Sequence, residues 1–161
     1  MYLMVDNDVN HKLKDFRMTT RLYKTSSEAS KCLNEYNDCV VKAVSIATGI
    51  DYFDVHARFK DFGRKDRKGT PIYVVKAVMN HYARTGKIKS WKEIKPRSHY
   101  EVKGKKITGK WSMKTIGKNS PKGTTGICFI KGHAAAMVNN EIHDWTEGRR
   151  HVVEEIYVIE K

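Results

Sequence analysis

Residues 126–144 have the sequence GICFIKGHAAAMVNNEIHD. The apolar run Gly126–Ile130 predicts a buried strand, and Ala134–Val138 predicts its antiparallel neighbour. Asparagine tolerates positive φ, so Asn139-Asn140 predicts a tight turn that folds residues 141–144 back onto the preceding strand. This part of the chain therefore predicts antiparallel sheet.

Helical patterns precede this sheet. The Asp38 carboxylate predicts an N-cap for a helix over Val40–Thr48, which Gly49 ends. Capping patterns predict a second helix over residues 51–63 and a third over residues 70–86, the latter with Thr70 as N-cap and Pro71 in the first turn. Helices followed by an antiparallel sheet predict an α+β fold.

The chain has 161 residues and 40% hydrophobic content, enough for one domain with a substantial core. We predict a basic N-terminal arm over residues 1–30, with a short strand at 21–23, and a single α+β domain over residues 31–161. The remaining strand candidates are Tyr100–Val102, Lys106–Thr108 and Val152–Ile159.

Charge and cysteine content indicate which partners and which cellular compartment to expect. Lys and Arg number 31 against 18 acids, so the net charge of +13 favours anionic partners or simple solubility. The sequence has no apolar run long enough to span a membrane and no signal-peptide pattern at its start. The three cysteines, Cys32, Cys39 and Cys128, are an odd number without CxxC spacing, which favours reduced thiols. We expect a cytoplasmic location and no membrane contact.

Three residues form a candidate nucleophilic site. Cys39 opens an apolar helical stretch, where the helix dipole favours the thiolate. His133 begins a predicted strand about ninety residues later, and Asp144 ends the hairpin that follows. A cysteine, a histidine that takes its proton and an acid that orients the imidazole form a known type of nucleophilic site.

The segment Asn37–Ala43, NDCVVKA, resembles the cysteine region of papain-like-fold peptidases, particularly the bacteriocin-processing branch. Residues 123–144 look like the histidine hairpin of that branch. The overall pattern is closer still to small uncharacterised tailed-bacteriophage proteins that are similar to these peptidases. The resemblance covers roughly residues 34–158, with the middle third matching only in helix order.

This resemblance implies a papain-like fold and an activity. Cys39 would be the nucleophile, His133 the general base and later acid, and Asp144 the group that orients the imidazole. The implied protein is a phage-encoded hydrolase or acyltransferase that acts in the host cytoplasm on an amide bond of a protein or peptide, including a host protein. No cofactor is implied.

One position departs from the family pattern. These peptidases have a Gln six residues before the cysteine, but this chain has Leu33 there and contains no Gln. Asn34 or Asn37 would have to supply the oxyanion donor beside the backbone N–H of Cys39, and loss of one donor can cost a hundredfold or more in rate.

Each site residue also has a structural interpretation. Cys39 could simply pack in the helix, and His133 could be a turn residue that follows Gly132. Asp144 could cap the loop that begins at Trp145. Zinc binding by Cys128 with His133, or by His143 with His151, lacks the paired short spacings of structural zinc sites. We therefore predict no metal.

A noncatalytic binding protein that retains the fold is the alternative function. One basic cluster surrounds a helix end, and a second accompanies aromatic residues that can stack on bases. Solvated lysine-rich loops would give the same pattern. The predicted partner is nucleic acid or a host protein; the first cluster is Lys60, Arg64, Lys65, Arg67 and Lys68, and the second is Lys103, Lys105, Lys106 and Lys110 with Trp91, Tyr100 and Trp111.

Overall fold

The computed structural model describes residues 21–161. No helix in that range combines the length and apolar composition needed to cross a membrane. Within this range the first helix, α1, includes residues 21–32. The elements that follow are α2 (Cys39–Thr48), α3 (Tyr52–Asp61), α4 (Ile72–Arg84), β1 (Ser90–Ile94), β2 (Arg97–Val102), β3 (Lys105–Lys110), α5 (Ile116–Asn119), β4 (Gly126–Ile130), β5 (His133–Val138), β6 (Glu141–His143) and β7 (Glu155–Glu160).

The fold is α+β, as predicted, with the helices preceding most of an antiparallel sheet. Five strands lie in the order β1-β7-β4-β5-β6, and β2 pairs with β3 in a separate two-stranded sheet. Alternate side chains of β4 enter opposite core layers. Ile127 packs with the helices α2, α3 and α4, while Cys128 packs with Met113 and Ile116 on the other face.

The predictions for residues 126–144 are confirmed almost residue for residue. β4 has the predicted bounds, β5 begins one residue early, and β6 ends at His143. Asn139 and Asn140 have φ values of 47° and 69°, the left-handed conformation that a tight turn between twisted strands requires. The strands predicted at Tyr100–Val102 and Lys106–Thr108 are also confirmed as parts of β2 and β3, and the last strand is confirmed from Glu155 onward.

The strand predicted at residues 21–23 is wrong, because these residues are helical and belong to α1. This helix runs through the predicted boundary at residue 30, while residues 1–20 of the predicted arm lie outside the described part of the chain. Two serines of this helix, Ser26 and Ser30, are buried, and Tyr23 packs against the helical core. Small polar residues at helical spacing give no apolar periodicity, so the sequence pattern did not reveal that the helix already includes residues 21–23.

Two capping predictions are also wrong in detail. Asp38 occupies the N-cap position of α2 but makes no side-chain cap bond. Its carboxylate oxygen Oδ2 instead accepts hydrogen bonds from Ser30 Oγ and Tyr52 Oη, and both donor–acceptor distances are 2.7 Å. Pro71, not Thr70, is the N-cap residue of α4. The Asp51 cap is confirmed, since its side chain accepts from the N–H of Phe53.

Candidate active site

The fold brings the three predicted site residues to one cavity of about 250 Å³. Cys39 is the first residue of α2, His133 is the first residue of β5, and Asp144 directly follows β6. Because α2 packs across β5, the start of the helix lies beside the start of the strand. The cavity is lined by Tyr23, Asn37, Asp38, Cys39, Lys42, Gly132, His133, Asp144 and Trp145.

The imidazole of His133 is held by a buried carboxylate. Its Nε2 lies 2.8 Å from Oδ2 of Asp144, which is only 4% exposed. The same oxygen accepts hydrogen bonds from the backbone N–H of Thr146 over 3.1 Å and from its hydroxyl over 2.6 Å. These donors fix the carboxylate, and the carboxylate in turn orients the ring so that Nδ1 remains for the thiol.

Cys39 and His133 shift each other's pKa in opposite directions. Burial alone would raise the pKa of the Cys39 thiol, but hydrogen bonds from His133 and from the backbone N–H groups of Ala134 and Val40 lower it overall. Burial alone would lower the pKa of His133, but hydrogen bonds to Asp144 and Cys39 raise it to about 9. Both shifts favour the thiolate–imidazolium pair over the neutral thiol and imidazole.

The other two cysteines differ from Cys39 in their surroundings. Cys128 is fully buried in the sheet, and burial raises its pKa to about 12. Cys32 is exposed at the end of α1. Cys39 is therefore the described cysteine with both a lowered pKa and access to a cavity.

Sequence analysis missed three residues that line this cavity. The Trp145 indole packs against His133, with ring centroids 5.1 Å apart. Lys42 lies with its ammonium 5.5 Å from the ring centre of Tyr23 and 3.6 Å from Oδ1 of Asp38. Its position one helical turn after Cys39 was a usable signal, whereas Tyr23 lay in a helix that the pattern did not reveal.

The two predicted oxyanion donors occupy different places. Asn37, at φ 57°, lines the cavity two residues before Cys39, and its Nδ2 donates to the carbonyl of Arg67 over 3.2 Å. Asn34, at φ 50°, is exposed and terminates α1, where the N–H of Glu35 bonds back to the carbonyl of Ser30. The structure thus places Asn37 at the site and Asn34 at a helix end.

A buried ion-pair cluster supports the loop that carries Asn37 and Asp38. The side chains of Glu35 and Arg64 are each only 1% exposed. The Arg64 guanidinium donates hydrogen bonds to both carboxylate oxygens of Glu35, at distances of 2.9 and 3.2 Å. His56 Nε2 lies 2.6 Å from the same carboxylate, and the N–H of Arg67 donates to it over 2.5 Å. This loop is therefore anchored to α3 and to residues 64–67.

The same cluster corrects one residue of the first predicted basic patch. Arg64 is only 3% exposed and is committed to Glu35, so its place in a surface contact for nucleic acid is wrong. Lys60 is exposed and pairs with Asp66, while Lys65, Arg67 and Lys68 are exposed.

Glu35, His56 and Asp66 also form the one group of potential metal ligands found within residues 21–161. Arg64 and His56 already occupy the Glu35 carboxylate, and the positive guanidinium opposes a cation there. These residues therefore suit an internal ion pair better than a metal ion.

A second cavity, of about 460 Å³, also borders Cys39 and His133. Val40, Ile72 and Phe129 contribute apolar surface there. The cavity therefore offers apolar surface next to the thiol.

The site has the parts required for acyl transfer through a thiol: a nucleophile, a base in contact with it and a carboxylate that orients the base. Comparisons with protein-family models, with curated proteins and with solved structures gave no match. What the site can do therefore follows from the chemistry of its own residues.

Proposed function

We propose that this protein is a papain-like cysteine hydrolase or acyltransferase in which Cys39 attacks the carbonyl of an amide or thioester. The observation that carries the proposal is the single imidazole of His133, which contacts the Cys39 thiol and lies 2.8 Å from the buried Asp144 carboxylate. A structural cysteine would not need a histidine oriented in this way.

The first half of the reaction forms an acyl-enzyme. The Cys39 thiolate adds to the carbonyl carbon, and the electron pair of the carbonyl moves to oxygen. The backbone N–H of Cys39 and the side-chain amide of Asn37 are the donors proposed for this oxyanion. When the tetrahedral intermediate collapses, the bond to the leaving amine breaks and the His133 imidazolium gives that amine its proton.

The second half releases the acyl group. Neutral His133 takes a proton from water, or from an acceptor amine or alcohol, as that group attacks the thioester carbonyl. The Cys39 thiolate leaves, and the proton stays on His133, which restores the original ion pair. Hydrolysis and transfer use the same protein groups, so the acceptor decides between them.

The order of elements supports the papain-like part of the proposal. A helix begins with the cysteine, and an antiparallel hairpin supplies the histidine and then the acid. The same resemblance leads us to propose a bacteriophage origin, action in the host cytoplasm and a protein or peptide substrate, including host proteins. These assignments depend on the resemblance and are separate from the chemistry of the site.

The thiolate is tested by measuring iodoacetamide alkylation of each cysteine across pH 5 to 9 by peptide mass spectrometry. We expect Cys39 to react much faster than exposed Cys32 at acidic pH, and buried Cys128 to stay unreactive in the folded protein. His133→Ala should abolish the excess at Cys39 while leaving Cys32 unchanged. Equal rates at Cys39 and Cys32, in both proteins, would contradict the proposed function.

Catalysis itself is tested by trapping the intermediate. Incubation with a panel of activated thioesters should add an acyl mass to Cys39, and hydroxylamine should remove it. His133→Ala should acylate slowly under the same conditions. If Cys39 reacts rapidly with iodoacetamide but takes up no acyl group from any member of the panel, the site is a reactive thiol without acyl-transfer activity.

A further inference from the structure

Residues 102–140 contain eight lysines and no Asp or Glu. Seven of the lysines fall within residues 103–122, and all seven are exposed. Within residues 21–161 none of the seven forms an ion pair with a carboxylate, whereas Lys42, Lys60 and Lys76 elsewhere do. This concentration of unneutralised charge makes a strong local positive field. The seven are Lys103, Lys105, Lys106, Lys110, Lys114, Lys118 and Lys122.

Part of this segment is the two-stranded ribbon formed by β2 and β3. Tyr100 lies opposite Ile107 and Val102 lies opposite Lys105, so these side chains share one face. Tyr100, Val102 and Ile107 are 52%, 45% and 37% exposed, respectively. The ribbon therefore presents apolar and aromatic surface beside its lysines.

The ribbon leads into a groove of about 720 Å³. Trp111 directly follows β3 and lines this groove, and its Nε1 bonds back to Ser98 on the ribbon. Ile94 and Val158 contribute apolar surface, and Lys92 and Lys122 also line the groove. The groove shares no residue with either cavity at Cys39.

We propose that the β2–β3 ribbon and this groove together, here called the lysine face, bind single-stranded nucleic acid. The lysines would contact phosphates, and base faces would stack on Tyr100 and Trp111 and cover the apolar surface. A nucleic acid carries one negative charge per nucleotide along its whole length, which matches a surface whose lysines are spread over both ribbon and groove.

The apolar surface distinguishes a single strand from the other polyanions. A duplex presents its phosphates outward and keeps its base faces stacked inside, so it would leave Tyr100, Trp111 and Val158 uncovered. An acidic peptide would satisfy the lysines but offers few flat apolar groups. A single strand offers both phosphates for the lysines and unpaired base faces for the aromatic and apolar surface.

The test is fluorescence anisotropy of a labelled single-stranded oligonucleotide with the full chain, at salt concentrations from about 50 to about 200 mM. We expect affinity to fall steeply with salt. Lys110→Ala with Lys122→Ala should reduce the slope of log K against log salt by about 1.4, since each phosphate contact contributes about 0.7 for a single strand. Tyr100→Leu keeps an apolar side chain and should weaken binding by about fivefold or more.

Lys65→Ala with Lys68→Ala is the matched control, because it removes the same charge from exposed positions outside the lysine face. It should leave the slope nearly unchanged. Equal weakening by both pairs would overturn the assignment to the lysine face, as would duplex DNA or polyglutamate binding as tightly as the single strand. Cys39→Ala should bind like the wild type, so this inference stands or falls separately from the proposed catalytic function.

Discussion

His133 and Asp144 are eleven residues apart in the chain, and Nε2 of the imidazole lies 2.8 Å from Oδ2 of the carboxylate. The hairpin of β5 and β6 produces this contact, with the asparagine turn between them. A short connection brings two side chains together at a small entropic cost. The pair is therefore preorganised before any substrate binds.

The pH dependence of kcat/KM should be bell-shaped. Activity should rise as the Cys39 thiol ionises, below the usual range for a thiol because the His133 hydrogen bond and the nearby backbone N–H groups outweigh burial. It should fall as His133 loses its proton near pH 9, because its pKa is raised to about 9. A steady-state pH profile on an amide substrate, whose leaving amine needs the proton of His133, measures both limits. A profile that still rises above pH 9 would contradict the ion-pair assignment.

Asp144→Asn should move the alkaline limit to lower pH. The substitution keeps the size of the side chain but removes the negative charge that helps to raise the pKa of His133. We expect kcat/KM to fall about 10²- to 10⁴-fold. Thr146→Val is the control, since it removes a hydroxyl that donates to Asp144 but leaves the carboxylate in place. An alkaline limit that stays near pH 9 in Asp144→Asn would assign the raised pKa to another group.

The sheet and the positions of the three candidate site residues were predictable because their signals are local. Apolar runs separated by Asn139-Asn140 specify strand pairing through turn chemistry alone. Cys39 follows an N-cap position, and His133 and Asp144 flank one hairpin, so each position is set by its own neighbours in sequence. Their meeting required only that α2 pack across β5, which the buried apolar face of the helix ensures.

The parts that sequence analysis missed depend on contacts between distant segments. Ser30 is buried because its hydroxyl bonds to Asp38, and Arg64 is buried because Glu35 neutralises it. The burial of Ser30 and Arg64 is not predictable from residue type, since serine and arginine are usually exposed. Tyr23 lines the cavity from α1, the helix that the Ser30–Asp38 hydrogen bond links to the start of α2.

Asn37→Gly should lower kcat by about 10²- to 10³-fold, as expected for loss of an oxyanion donor. Glycine tolerates the φ of 57° at this position, so the substitution removes the side chain without adding backbone strain. The alkylation rate of Cys39 should stay close to that of the wild type, because the ion pair is untouched. Single-turnover kinetics of acylation measures the effect.

Asn34→Gly is the matched control for that prediction, since Asn34 also has a positive φ, 50°, but lies at the end of α1. It should keep nearly full activity. Equal activity losses in the two glycine variants would show that the loop, and not the Asn37 amide, controls the rate.

Glu35→Gln should lower the free energy of unfolding by about 3–5 kcal/mol, because it leaves the buried Arg64 guanidinium without a counter-charge. Burial would raise the pKa of Glu35, but hydrogen bonds from Arg64, His56 and the Arg67 backbone lower it from 4.5 to about 2. A lowered carboxyl pKa stabilises the fold above the unfolded pKa, and this stabilisation is lost as pH falls from about 5 toward 2. Urea unfolding at several pH values measures this stabilisation, and the difference between wild type and variant should shrink toward acid pH.

Asp61→Asn, which removes an exposed pair with Arg58, should cost less than about 1 kcal/mol at every pH. A loss in Glu35→Gln as small as in Asp61→Asn would mean that the buried pair does not hold the loop before Cys39.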